Sequence, residues 1–202
     1  MASINYALKE ISCKIVYYGP GMCGKTTNLQ HIHQHTAADK RGNMVSLATP
    51  GERTLFFDFL PLDLGDVGGL RTRFHLYTVP GQVRLRTTRR LVLQGTDGVV
   101  FVADSDPARL FANRQSLDDL RQNLARLGRP LEALPLVFQY NKRDLPAPVS
   151  RQRLDQLLNA SDCPAFEACA VRGEGVAETL RAILQRVLAE MARHRDRRTV
   201  SA

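Results

Sequence analysis

The sequence has no apolar run long enough to cross a bilayer, and its polar start is unlike a signal peptide. Neither end carries a lipidation signal, because Ala2 stands where myristoylation needs glycine and Ser201-Ala202 offers no cysteine for prenylation. The four cysteines form no CxxC pair, which argues against a zinc site or a disulfide framework. These absences predict a cytoplasmic protein with reduced thiols and without integral membrane association.

Acidic residues are fewer than basic ones, 20 against 28, which gives a net charge of +8. The excess forms two clusters: Arg84, Arg86, Arg89 and Arg90, and near the end Arg193, Arg195, Arg197 and Arg198. A basic excess is compatible with nucleic acid or anionic lipid as a partner. No nucleic-acid-binding module is recognisable, so we expect no nucleic acid partner and leave the role of the second cluster open.

The length and composition are those of one globular domain. With 202 residues, 44% of them hydrophobic and 24% charged, the chain is large enough to bury a core. We predict a domain over residues 1–192 and a basic, disordered tail over residues 193–202.

The segment Gly19–Thr26 reads GPGMCGKT and matches the GxxxxGK(S/T) pattern of a phosphate-binding loop. It follows a β-rich run, Cys13–Tyr18, and precedes a segment able to form a helix, Thr27–His35, which is the context that such a loop requires. A chance match in a glycine-rich turn is the alternative, at a frequency on the order of 1%. Lys25 would reach the β- and γ-phosphates, and the Thr26 hydroxyl would bind Mg²⁺.

The residues predicted to contact the nucleotide at this end are Gly19, Gly21, Met22, Cys23, Gly24, Lys25, Thr26 and Thr27 and, beyond the loop, Gly81. Backbone N–H groups of the loop converge on phosphate oxygens, and the helix that follows adds the positive end of its dipole.

Strands alternate with helices along the rest of the chain. Predicted strands are at most a short one near Met44–Leu47, then Thr54–Leu60, Leu70–Thr78, Gly98–Asp104, Leu134–Tyr140 and Phe166–Ala170. Predicted helices are Ser116–Leu127, the segment after Ser150 through Leu158, and Val176–Met191. The turn-rich link Asp63–Gly69 pairs the first two strands as a hairpin. The pattern predicts an α/β domain: a mostly parallel, doubly wound sheet with one antiparallel hairpin strand and helices on both faces.

A second motif, Asn141-Lys142-Arg143-Asp144, follows a buried strand and selects the base. Guanine presents N1–H and its 2-amino group side by side, and the Asp144 carboxylate offers two matching acceptors, whereas adenine has no such pair. Lys142 would lie along the base and Asn141 would tie this loop to the phosphate loop. The backbone around Cys169, Ala170 and Val171 would supply the remaining base contact.

With these motifs in order, the chain resembles the Ras-like small GTPases and, more narrowly, the bacterial MglA family, over about residues 4–190. The resemblance rests on four strings of residues: Lys14–Gly21, Arg53–Pro61, Arg73–Gln82 and Tyr140–Pro146. It implies a P-loop NTPase domain that binds GTP or GDP with Mg²⁺ and hydrolyses GTP, as a switch in cell polarity or motility, with recruitment to a cell pole.

The resemblance also implies how the metal is held. Thr78 stands where most small GTPases have the aspartate of DxxG, as in the MglA family, and a neutral hydroxyl cannot replace that charge. Mg²⁺ would therefore depend on the phosphates, Thr26 and a switch-loop hydroxyl, for which Thr54 is the candidate. Asp58 is either an outer-shell helper or a surface carboxylate on a strand.

For hydrolysis, the resemblance assigns the water-orienting role to Gln82, directly after Gly81, and the arginine finger to Arg53. An exposed loop arginine is the alternative for Arg53. The resemblance implies a Roadblock-type activator, an MglB-like homodimer, that pushes Arg53 and Gln82 inward. It also implies an effector, whose identity is unknown, and a chain that is monomeric when no partner is bound. Members of the family tend to carry an aromatic pair after Gly-Gln-Val, whereas this chain has Arg84-Leu85-Arg86 there. This difference favours a paralogue with a different activator or effector.

Two alternative functions stay open at this point. One is a nucleotide-locked scaffold with little turnover, and the other is a P-loop kinase, for which no lid or acceptor-site motif is found. The spacing of His31 and His35 suits a metal, but surface polar residues are the alternative since no third ligand is in view.

Overall fold

The computed structural model describes residues 3–5, 9–47, 57–67, 69–81 and 85–200. Within these ranges the chain forms eight strands and five α-helices. The strands are β1 (Ser3–Asn5), β2 (Glu10–Tyr18), β3 (Val45–Leu47), β4 (Phe57–Val67), β5 (Leu70–Thr78), β6 (Gly98–Asp104), β7 (Leu136–Asn141) and β8 (Ala165–Glu167). The helices are α1 (Lys25–His35), α2 (Arg86–Leu93), α3 (Leu110–Arg126), α4 (Arg151–Leu158) and α5 (Val176–Val200).

The strands form one sheet in the order β3-β4-β5-β2-β6-β7-β8, with β1 beside β2. β2 pairs in parallel with β5 and β6, and β6, β7 and β8 continue in parallel. β4 runs antiparallel to both β3 and β5. The predicted fold class is therefore confirmed. Because the strand order reverses at β2, the loop after β2 lies where open α/β sheets bind ligands.

Each face of the sheet carries a layer of helices over its own core. Along β2 successive side chains point to opposite faces, so Ile15 and Tyr17 join one core while Val16 and Tyr18 join the other. The first core packs against α1 and α5, and the second against α2, α3 and α4. Both tyrosines are fully buried, which fixes β2 between the two layers and holds the loop that follows it.

The hairpin is longer than the sequence predicts. β4 continues through the turn-like residues to Val67, with an irregularity in pairing between Asp63 and Asp66, and only residues 68–69 separate it from β5. The Arg71 side chain on β5 bonds Asp63 at 2.7 Å. This cross-strand bond stabilises the additional strand residues of β4, where the glycine and aspartate content predicts a turn.

Two elements lie outside the sequence predictions, β1 and α2. β1 adds an antiparallel partner to the first residues of β2. α2 forms within the basic segment that follows β5, since Val92 and Leu93 are buried against the core while Leu91 faces solvent.

The end of the chain differs from the prediction of a disordered tail over residues 193–202, because α5 continues through Val200. The residues after Met191 include neither glycine nor proline, so nothing in them interrupts a helix. Arg193 also pairs with Glu190 one turn earlier, at 2.7 Å.

All four cysteines are free thiols in the structure. Within the described ranges, no helix combines the length and apolar character that a membrane crossing requires. The rings of His31 and His35 stack at 3.9 Å, but no group of three potential metal-binding His, Cys, Asp or Glu side chains is found among the described residues.

The two leucines Leu117 and Leu91 provide a matched test of this packing. Leu117 of α3 is fully buried, whereas Leu91 of α2 is 63% exposed. We expect Leu117→Ala to lower the free energy of unfolding by about 2–5 kcal/mol, because it leaves a cavity, and Leu91→Ala to change it by about 0.5 kcal/mol or less. Urea denaturation measures both, and equal losses would contradict the placement of α2 and α3.

Candidate functional site

The loop Gly19–Thr26 connects β2 to α1 and passes close to two other segments. Gly24 has a φ of +100°, and a Cβ there would lie 2.2 Å from the Asn141 side-chain nitrogen. A Cβ on Gly81 would lie 2.3 Å from the backbone of Gly21. Glycine is therefore required at both positions for the base motif and the end of β5 to approach the loop.

The start of α1 is suited to an anion. The first turn carries no acidic residue, and Gly24 precedes it in a left-handed conformation. The carbonyl of Gly24 accepts hydrogen bonds from the backbone and the side chain of Asn28, at 3.0 and 2.9 Å. With the loop fixed in this way, the positive end of the helix dipole is directed toward the place where the sequence predicts a phosphate.

Lys25 is buried inside the loop. Its ammonium donates to the carbonyl oxygens of Gly19 and Pro20, at 3.0 and 2.7 Å, and lies 3.6 Å from the Cys23 sulfur. Burial raises the pKa of the Cys23 thiol despite the neighbouring ammonium, so the thiol stays neutral. The loop that the sequence predicts to bind phosphate thus encloses the ammonium group of Lys25.

A fully buried carboxylate, that of Asp58, lies beneath the loop. It accepts hydrogen bonds from the hydroxyls of Thr26 at 2.6 Å, Thr78 at 2.7 Å and Ser46 at 2.5 Å. The alternative that Asp58 is a surface carboxylate is therefore wrong. The Thr26 hydroxyl thus donates its proton to Asp58, and a hydroxyl oxygen that donates is also able to accept.

The register of the hairpin explains why Asp58 reaches this place. Phe59 of β4 pairs with Tyr77 of β5, so Asp58 lies opposite Thr78. The backbone N–H of Asp58 donates to the Thr78 hydroxyl at 2.9 Å, which fixes the two residues together. The carboxylate of the neighbouring strand thus lies directly beside the Thr78 hydroxyl.

Asn141, at the end of β7, joins the base motif to the loop. Its amide nitrogen donates to the carbonyl of Cys23 at 2.7 Å, and its amide oxygen accepts from the N–H of Ala170 at 2.9 Å. One buried side chain thus connects three of the segments predicted to contact the nucleotide.

Lys142 has a partner that sequence reasoning missed. Its ammonium donates at 2.6 Å to Asp104, whose carboxylate is 1% exposed at the end of β6. The only sequence signal was a carboxylate that ends an otherwise apolar run. The pair fixes the end of the Lys142 side chain at the end of β6.

Asp144 is exposed at the rim of the site, near the loop that carries Cys169, Ala170 and Val171. A hydrogen bond from the Cys169 thiol holds the pKa of the Asp144 carboxyl below its usual range, together with a backbone hydrogen bond. The carboxylate is therefore ionised at neutral pH and able to accept two hydrogen bonds.

The structure brings together the predicted residues of the phosphate loop, Gly81 and the base motif. Arg53, Thr54 and Gln82 lie outside the described residues. Thr27 follows Thr26 in the first turn of α1, and Met22 is 72% exposed at the top of the loop.

Comparisons of the sequence with known proteins identify relatives over most of the chain. The model of the ADP-ribosylation factor family matches residues 1–187. The mutual gliding-motility protein MglA of Myxococcus xanthus is 56% identical over 191 residues, 95% of this chain and 98% of the relative. The human ADP-ribosylation factor-like protein 4C is 28% identical, over 88% of this chain and 88% of the relative. The human ADP-ribosylation factor-like protein 4A is 26% identical, over 84% of this chain and 80% of the relative.

Inosine triphosphate, which lacks the 2-amino group of guanine, tests Asp144. We expect the protein to bind GTP about tenfold more tightly than inosine triphosphate, because the latter leaves one carboxylate oxygen unpaired. Asp144→Ala should bring the ratio of the two dissociation constants close to one. Asp39→Ala, at another exposed aspartate, is the control, and a ratio unaffected by Asp144→Ala would contradict the assignment.

Proposed function

The chain belongs to the ADP-ribosylation factor family of Ras-like small GTPases, and from that membership we propose that it is a molecular switch of the MglA type. As a member of this family it binds guanine nucleotide and hydrolyses GTP to GDP and phosphate. In our proposal the bound nucleotide decides which partners the protein recognises. The observation that carries the proposal is the buried Asp58 carboxylate hydrogen-bonded to the Thr26 hydroxyl.

We assign the phosphates to the loop and the base to the opposite side of the site. The loop residues Gly19 to Thr27 surround the phosphates, Lys25 supplies the charge, and Gly81 approaches from β5. Asn141 and Lys142 support the base, Asp144 reads its edge, and the backbone at 169–171 completes the pocket. The contacts of Asn141 with Cys23 and Ala170 support this arrangement.

The donor set suits Mg²⁺, because the groups that meet beneath the loop are hydroxyl and carboxylate oxygens. We propose that Thr26 and Thr54 hold the ion and that Asp58 acts as the outer-shell carboxylate. When bound, Mg²⁺ offsets the negative charge of the β- and γ-phosphates. Asp58 orients the Thr26 hydroxyl through the 2.6 Å hydrogen bond, and Thr78 keeps Asp58 in place.

For hydrolysis, we propose that Gln82 orients the attacking water and that Arg53 stabilises the negative charge of the transition state. In the sequence, both residues are close to segments that belong to the site. Gln82 follows Gly81, which packs on Gly21, and Arg53 precedes β4, the strand of Asp58. Rearrangement of these two segments by a partner would raise the rate of hydrolysis.

The partner that we propose is a Roadblock-type, MglB-like homodimer, and the process is cell polarity or motility. The 56% identity to a gliding-motility protein supports motility as the process. Arg84-Leu85-Arg86 follows Gln82 closely in the chain and ends on the first residue of α2, so we expect this segment to form part of the partner surface.

Asp58→Asn tests the role of the buried carboxylate. Because it removes the charge but keeps the shape, we expect the Mg²⁺ concentration needed for half-maximal GTP retention to rise about tenfold or more. Nucleotide release at graded Mg²⁺ concentrations measures it. Asp63→Asn, on the same strand and paired with Arg71, is the control. A dependence on Mg²⁺ equal to that of the wild-type protein would refute the assignment of Asp58.

Arg53→Ala tests the hydrolysis proposal. In single-turnover assays with a Roadblock homodimer, we expect the stimulated rate to fall about 10³-fold or more, because an arginine finger contributes about that much. Arg153→Ala, an exposed arginine on α4, should leave the rate unchanged. An undiminished rate would exclude Arg53, and no stimulation of the wild-type protein would exclude this type of partner and favour a nucleotide-locked scaffold.

A further inference from the structure

Arg109 contacts the backbone of the phosphate loop at the Gly21 carbonyl. It ends the 3-10 turn Pro107–Arg109 that follows β6. One terminal nitrogen of its guanidinium donates to the carbonyl oxygen of Gly21 at 2.8 Å. Its Nε lies 3.9 Å from the carboxylate of Asp104, the same carboxylate that binds Lys142. The guanidinium thus links the base motif to the top of the loop.

The bond to the Gly21 carbonyl fixes the direction of the next N–H group. In a trans peptide the C=O of one residue and the N–H of the following residue lie in one plane and point in opposite directions. With the Gly21 carbonyl directed to Arg109, the N–H of Met22 is directed away from Arg109. In a phosphate-binding loop such N–H groups are the ones that surround the phosphate oxygens.

Met22 needs such support, because its backbone is in the left-handed region with a φ of 63°. A residue with a Cβ rarely adopts this conformation and keeps it only where the surroundings hold it. The Met22 side chain is 72% exposed, so its own packing contributes little. The hydrogen bond from Arg109 acts on the peptide group directly before the left-handed residue.

The alternative is that Arg109 serves only as an ion-pair partner of Asp104, and the distances do not favour it. The separation of 3.9 Å is at the outer limit for an ion pair, and the bond to the Gly21 carbonyl is shorter by more than an ångström. Asp104 is already paired with Lys142 at 2.6 Å. The arginine therefore makes its closest contact with the loop backbone.

We propose that Arg109 is a positioning residue for nucleotide binding: it holds the Gly21 carbonyl, stabilises the left-handed backbone of Met22 and so directs the Met22 N–H toward the phosphates. The inference rests on the proposed nucleotide site. It assigns to the turn after β6 a part in phosphate binding, although no side chain of that turn is expected to touch the nucleotide.

The test is a double-mutant cycle between Arg109 and Met22, read out as the dissociation constants of fluorescent GDP and of a non-hydrolysable GTP analogue. Arg109→Ala should weaken binding of both about tenfold, and Arg109→Lys should lie between that variant and the wild-type protein. In the Met22→Gly background, Arg109→Ala should cost about threefold or less, because glycine adopts a positive φ without support. Arg114→Ala, at an exposed arginine of α3, is the matched control.

Each result decides the proposal. Unchanged binding by Arg109→Ala overturns it, and so does an equal loss in the Met22 and Met22→Gly backgrounds, since that would mean a role independent of Met22. Thermal unfolding without nucleotide separates a folding defect from a binding defect. If Arg109→Ala fails to fold, Arg109→Lys in both backgrounds supplies the same comparison. Failure of the wild-type protein to bind either nucleotide would instead refute the proposed function.

Discussion

The hydrogen bonds of the buried Asp58 carboxylate are the constraint on which the site depends. Thr26 belongs to the phosphate loop, Ser46 to β3 and Thr78 to β5, and all three hydroxyls donate to this one side chain. A buried carboxylate is costly unless its oxygens are hydrogen-bonded. The position of β4 relative to the loop is therefore fixed by the need to keep all three donors in place, and the donors in turn fix the loop relative to the hairpin.

The phosphate loop is supported on several sides by contacts to its carbonyl groups. Lys25 binds the carbonyls of Gly19 and Pro20, Asn141 binds that of Cys23, and Arg109 binds that of Gly21. When the carbonyl groups are held by protein donors, the N–H groups of the loop are left to face the ligand. The arrangement explains why side chains from β7 and from the turn after β6 belong to a site whose ligand is bound mainly by backbone.

Sequence reasoning found the parts of the site that are local in the chain. The phosphate loop and the base motif are short strings whose residues act together, so their spacing was enough to recognise them. The sequence leaves two alternatives for Asp58, because its position depends on the pairing of Phe59 with Tyr77 across a hairpin whose register the sequence does not specify. Arg109 was not found, since it meets Gly21 across 88 positions and only the parallel order of β2 and β6 brings the two together.

A crystal structure of the protein with Mg²⁺ and a non-hydrolysable GTP analogue tests the central claim most directly. The measured quantity is the position of the Asp58 carboxylate relative to Thr26 and the ion. The account predicts that the Thr26 hydroxyl binds Mg²⁺ while it still donates to Asp58, and that Asp58 contacts the water shell of the ion. A structure in which Mg²⁺ is bound and Asp58 has turned away from both would contradict it.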